Sequence, residues 1–145
     1  LAIKKYMKIF GKRPASFCAP AFRINKRVIE VLDKEGIKTI SDLPGKIPFK
    51  IKGTNIVNVP ITIAGMNNTP IIEYLVSRGG NDEQILEYIK KELKKNKLGV
   101  MYIHGLYECR EKIELLDNLF YYLIKNKVKI KKIEEISMLQ NDNYE

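Results

Sequence analysis

The sequence predicts an α/β fold, and three observations carry that prediction. Short β-branched runs alternate with amphipathic stretches of helical period, and Gly or Pro turns separate them. The run over 98–103, LGVMYI, is almost wholly apolar, the pattern of a strand covered on both faces. Strands alternating with helices imply βαβ units and a mostly parallel sheet.

Residues 1–10 read as the end of a helix, with Ile3, Tyr6, Met7 and Phe10 on one side and Gly11 as its stop. A Lys-Arg-Pro turn leads into an extended run over 15–22. Asn25 stands where an N-cap belongs, Val28, Ile29 and Leu32 form the apolar stripe of the next helix, and Gly36 suits its left-handed C′ position. Residues 37–41 are short and β-branched, a strand closed by the Asp42-Leu-Pro-Gly turn. Residues 46–55 read as an irregular excursion, and 56–63 as a strand interrupted by Pro60, hence an edge or a strand end. Thr69-Pro70 matches an N-cap with Pro at the first helical position, opening a short helix that stops near Arg78-Gly79-Gly80. Asn81 and Gln84 form a capping-box pattern before a helix that buries Ile85, Leu86, Ile89 and Leu93. Lys94, Lys95 and Lys97 crowd its last turn, where positive charge complements the helix dipole. After the apolar run and His104-Gly105, a long helix over 109–126 repeats Ile113, Leu116, Leu119, Phe120, Leu123 and Ile124 at helical spacing. A final strand over 127–133 follows.

At 145 residues the chain is long enough for one compact domain with a sizeable core. No run nears the ~18 apolar residues of a membrane span, and LAIKKYMKIF has the wrong order of charge and apolar residues for a secretory signal. The formal charge of +9 invites a nucleic-acid reading, yet only five of the 26 basic residues are Arg, and clustered arginines with aromatic platforms are missing. Nucleic acid is therefore not the expected partner, and the lysines read mainly as solvated surface. Cys18 and Cys109 form no CxxC pair, which suits a reducing, cytoplasmic setting or buried thiols better than a disulfide framework.

In parallel α/β sheets, chemistry gathers beyond the carboxyl ends of the strands. Arg23, Asp42 and His104 each follow a different expected strand. His104 is the sole histidine, placed after the most apolar run, where a group titrating near neutrality can act as acid or base. Each has a plainer reading: a packed or surface histidine, an Asp that starts a turn, and a surface Arg before an N-cap. Glu108, four residues past the histidine, is either a lining residue of the same mouth and a substrate contact, or an exposed helix-start carboxylate. Other chemistries fail on inventory. The chain has no phosphate-binding glycine loop, no GxSxG elbow, and too few His and Cys for a metal site built on them.

The motifs Ser16-Phe17-Cys18-Ala19-Pro20-Ala21-Phe22-Arg23, Ser41-Asp42, Asn58-Val59-Pro60-Ile61-Thr62 and Gly99-Val100-Met101-Tyr102-Ile103-His104 occur in a telling order and spacing. The set resembles the later motifs of the polysaccharide deacetylase family, the NodB-homology domain. The Ala-Pro-aromatic-Arg and Pro-Ile-Thr elements look most like the branch containing the deformylase of lipid-linked formamido-arabinose. The likeness spans residues 10–136. It implies a distorted (β/α) barrel and a metal-dependent hydrolase. That hydrolase would remove an acetyl or formyl group from an amino sugar of a polysaccharide or of a lipid-linked saccharide at a membrane surface. In that family a divalent metal, usually zinc, is held by an Asp and two His of early motifs, none of which is present here, so this chain alone is expected to hold none. Residue by residue, the resemblance makes His104 the general acid toward the leaving amine, Arg23 the arginine that orients catalytic carboxylates, and Asp42 the acidic partner of the histidine. Phe22 stands where the family has tryptophan, as a substrate contact.

On this reading residues 1–136 are the C-terminal portion of a deacetylase-like barrel and 137–145 a tail. Such barrels need ~250 residues, and the chain begins at Leu1, so the expectation is a part completed by a missing N-terminal segment or another chain, and inactive by itself. Two alternatives compete: a non-catalytic domain binding a carbohydrate or anionic ligand at Arg23 and His104, and a basic module using the lysines over 125–132 and 90–97 against nucleic acid or membrane.

Overall fold

A computed structural model describes residues 2–136; the tail expected over 137–145 lies outside the described residues. The fold is mixed α/β, with seven α-helices and one four-stranded sheet among the described residues. Contacts gather into two compact units, one from Leu1–Pro60 and resuming at Lys131, the other Ile61–Ile130. Among the described residues no helix is long and apolar enough to cross a membrane.

The first unit holds α1 (Ala2–Phe10), β1 (Ser16–Phe17), a 3-10 turn (Pro20–Phe22), α2 (Lys26–Lys34), β2 (Thr39–Ile40), β3 (Phe49–Lys50) and β4 (Val57–Asn58). All four strands lie here. The sheet order is β1-β2-β4-β3, with Ser16 beside Thr39 and Thr39 beside Val57 in parallel pairs, and Phe49 beside Asn58 in an antiparallel one. The excursion expected over 46–55 thus supplies β3, and only two residues of the expected 56–63 strand join the ladder. Pro60 has no N–H with which to carry it further. Helix α2 forms as its sequence dictates: the Asn25 side chain accepts the Val28 N–H at 3.0 Å, and Gly36 takes φ +80° just past the end. Its Ile29 and Leu32 pack with Ile37, Ile40 and Ile56 into one core. Fully burying such a side chain contributes roughly 1.5–3 kcal/mol.

The second unit is helical: α3 (Ile71–Ser77), α4 (Asp82–Lys95), α5 (Gly105–Glu111) and α6 (Ile113–Lys125). Pro70, not Thr69, is the N-cap of α3; Thr69 Oγ1 instead donates to the Met66 carbonyl at 2.6 Å and closes the preceding 3-10 turn. The capping box of α4 is complete, with Asn81 and Gln84 exchanging bonds of 2.9 and 3.1 Å. Ile63, Ile71, Ile72, Ile85, Ile89, Leu115, Leu116 and Leu119 form its core.

Three expectations fail in this part of the chain. Residues 98–103 are extended but join no ladder, and they are half-buried or exposed instead of covered on both faces. The Thr62 hydroxyl donates to the Leu98 carbonyl and accepts the Val100 N–H, and the Val100 carbonyl accepts the Thr62 and Ile63 N–H groups, so the segment is tied locally to residues 62 and 63 without forming a ladder. The single helix expected over 109–126 starts earlier and breaks at Lys112, whose φ of −136° is not helical and whose ammonium reaches Asp82 at 2.7 Å. The strand expected over 127–133 is absent: residues 127–132 are exposed with no regular structure, and Ile133–Ile136 is a short helix, α7.

Candidate functional site

His104 occupies the N-cap of α5, where the half-buried run hands over to helix. Its side chain does not cap that helix. Instead Nδ1 lies 2.6 Å from Oε1 of Glu73, in the first turn of α3, while the ring remains 59% exposed. Tyr102 meets the imidazole edge-on at 5.8 Å, and its hydroxyl donates to the Asn68 carbonyl. Nε2 has no hydrogen-bond partner among the described residues. A carboxylate on Nδ1 selects the form in which that nitrogen carries hydrogen, leaving Nε2 to exchange a proton with a bound molecule.

Glu108 completes the group. It is the buried carboxylate of α5, not an exposed one at a helix start: its exposure is 0%, and its Oε2 accepts the main-chain N–H of His104 at 2.8 Å. Oε1 is buried without a partner. Burial raises the Glu108 pKa above the ordinary carboxylate value, main-chain hydrogen bonds oppose the shift, and the charge of Glu73 adds to it.

The other sequence-predicted residues, Phe22, Arg23 and Asp42, belong to the first unit. Asp42, which follows β2 and Ser41, is buried, and its Oδ1 accepts the Ala19 N–H at 2.6 Å. Asn58 of β4 stitches the same turn, accepting from the Asp42 and Leu43 main chain and donating to the Leu43 carbonyl at 2.9 Å. Asp42 Oδ2 is buried with no hydrogen-bond partner. Burial raises the Asp42 pKa, while the Ala19 N–H, the Cys18 thiol and the Ser41 main chain pull it down. Desolvation, then the charge of Asp42, pushes the Cys18 thiol up to about 11. Phe22 is half-buried, and both it and Ala21 hold left-handed backbone, φ 55° and 54°, before the chain leaves for α2. The Arg23 side chain is exposed and makes no hydrogen bond or ion pair among the described residues.

The structure thus brings His104 and Glu108 together and adds Glu73, a residue that sequence reasoning missed. The carboxylate hydrogen-bonded to His104 is Glu73; the partner of Asp42 is Ala19. Glu73 stands thirty-one positions upstream in the first turn of α3, and nothing local in the sequence ties it to a histidine.

Among the described residues no three His, Cys, Asp or Glu side chains come together to hold a metal ion. The described residues therefore supply no ligand set for the divalent centre that the family resemblance implies. No protein-family model matches this chain, and no curated protein matches it either.

Proposed function

We propose that this chain is part of a hydrolase that removes an acetyl or formyl group from the nitrogen of an amino sugar, in a polysaccharide or lipid-linked saccharide. It would form the C-terminal part of a distorted (β/α) barrel. The observation that carries the reading is the 2.6 Å contact between Glu73 and His104, with the imidazole exposed on its other side. Amide hydrolysis needs a proton at nitrogen, because an amine leaves far more readily than an amide anion. Water adds to the acyl carbon and releases a proton to solvent, the C–N bond breaks with its electron pair going to nitrogen, and the imidazolium gives the Nε2 proton to the departing nitrogen and takes up another from solvent. Glu73 holds the ring in orientation through the 2.6 Å contact at Nδ1. The ordered motif set from Ser16 to His104 supports the substrate class by resemblance.

The test is release of acetate or formate from N-acylated amino sugars by the native protein. Release that falls with His104→Ala and, less, with Glu73→Gln supports the reading. No release by the native protein in the full form in which it occurs sinks it, and saccharide binding without release would assign the non-catalytic alternative.

A further inference from the structure

Two carboxylates grip His104, but only Glu73 touches its ring. Glu108 reaches the main chain, with Oε2 on the His104 N–H and Oε1 buried and unpaired. An orphaned buried acceptor is destabilising, and a residue without that liability would pack as well in a helix. The expenditure has a local use. The His104 carbonyl accepts the Tyr107 and Glu108 N–H groups, but the segment before it joins no strand ladder, so the N–H at 104 needs a separate partner. Glu108 supplies one, from a side chain that is itself immobilised by complete burial.

We infer that Glu108 is the positioning residue of His104: by fixing the main-chain N–H at 104 it sets the direction of the imidazole, presenting Nδ1 to Glu73 and Nε2 outward. A neutral carboxyl does this as well as a charged one, because its carbonyl oxygen still accepts the N–H. Neutrality also spares the site a second negative charge beside Glu73, in line with the raised pKa of Glu108. The kinetic consequence rests on the hydrolase reading above; the geometric one does not.

His104 is the sole histidine, so imidazole 15N resonances of the native protein have one source. Glu108→Met keeps the length and helix preference of the side chain and removes the acceptor, whereas Glu108→Gln keeps a neutral acceptor. The expected result is a folded Glu108→Met whose Nδ1 and Nε2 shifts move toward those of an averaged, free imidazole. Its kcat should fall roughly tenfold at unchanged KM, with Glu108→Gln near wild type in both. Glu108→Leu replaces the Met variant if that one does not fold. Wild-type shifts in the folded acceptor-free variant overturn the inference, as does a Glu108→Gln as perturbed as Glu108→Met. If wild type hydrolyses nothing yet the shifts respond as expected, the hydrolase reading falls and the positioning role stands.

Discussion

Each unit buries a carboxylate that holds one main-chain N–H and leaves its second oxygen unpaired. Asp42 grips Ala19 in the sheet unit, and Glu108 grips His104 in the helical unit. What differs is the neighbour. Beside Asp42 sits a thiol whose ionisation is suppressed, to a pKa of about 11. Beside Glu108 sits an exposed imidazole already paired with a carboxylate. Desolvation, with the Asp42 charge behind it, quiets the reactive side chain beside one anchor, the other anchor orients its neighbour, and the functional reading follows the second.

The largest expected effect breaks the comparison at its active end. His104→Ala should lower kcat for amino-sugar deacylation by about 10²–10⁴ while leaving the thermal midpoint near wild type, because the ring is mostly exposed. At the other end, Asp42→Ala leaves the Ala19 N–H without its acceptor and should cost about 1–3 kcal/mol in denaturant unfolding, with Asp42→Asn costing less. The shared property can be tested in one titration of stability. Both carboxyls have folded pKa values above the ordinary 3.8 and 4.5, so the folded state holds their protons more tightly than the unfolded state does. Their contribution is fully present below those ordinary values and is lost as pH rises through the raised ones. Asp42→Asn with Glu108→Gln should flatten that decline in urea midpoints measured upward from about pH 4. The smallest effect sharpens the quiet end: Asp42→Asn should speed alkylation of Cys18 roughly severalfold at pH 8, read by mass spectrometry, since it removes the charge but not the desolvation.

Local signals were legible and distant ones were not. Asn25, Gly36 and the Asn81–Gln84 box act within one helical turn, and each stands where its residue type implies. The apolar run 98–103 misled because periodicity reports what a segment could bury, not which partner it meets; here the partners are the main chain of residues 62 and 63 and the Thr62 hydroxyl. Lys112 interrupts an apolar repeat that reads as one helix, since its tie to Asp82 comes from another element. At the site, His104 was visible as a lone imidazole at the end of an apolar run. Its pairing with Glu73 was not, because contacts between separate helices leave no mark on spacing. Glu108 looked like an ordinary first-turn acid, whose burial only the fold reveals.

The break at Lys112 also bears on how this protein can change over evolutionary time. In a continuous helix one inserted residue rotates everything downstream by about 100°, so the segment carrying His104 and Glu108 would be locked in phase with the stripe that packs Leu115, Leu116 and Leu119. With a non-helical residue between them, a length change there can be absorbed locally. The reactive segment can then vary in sequence and length while the packing helix keeps its register, an independence that a smooth helix would deny.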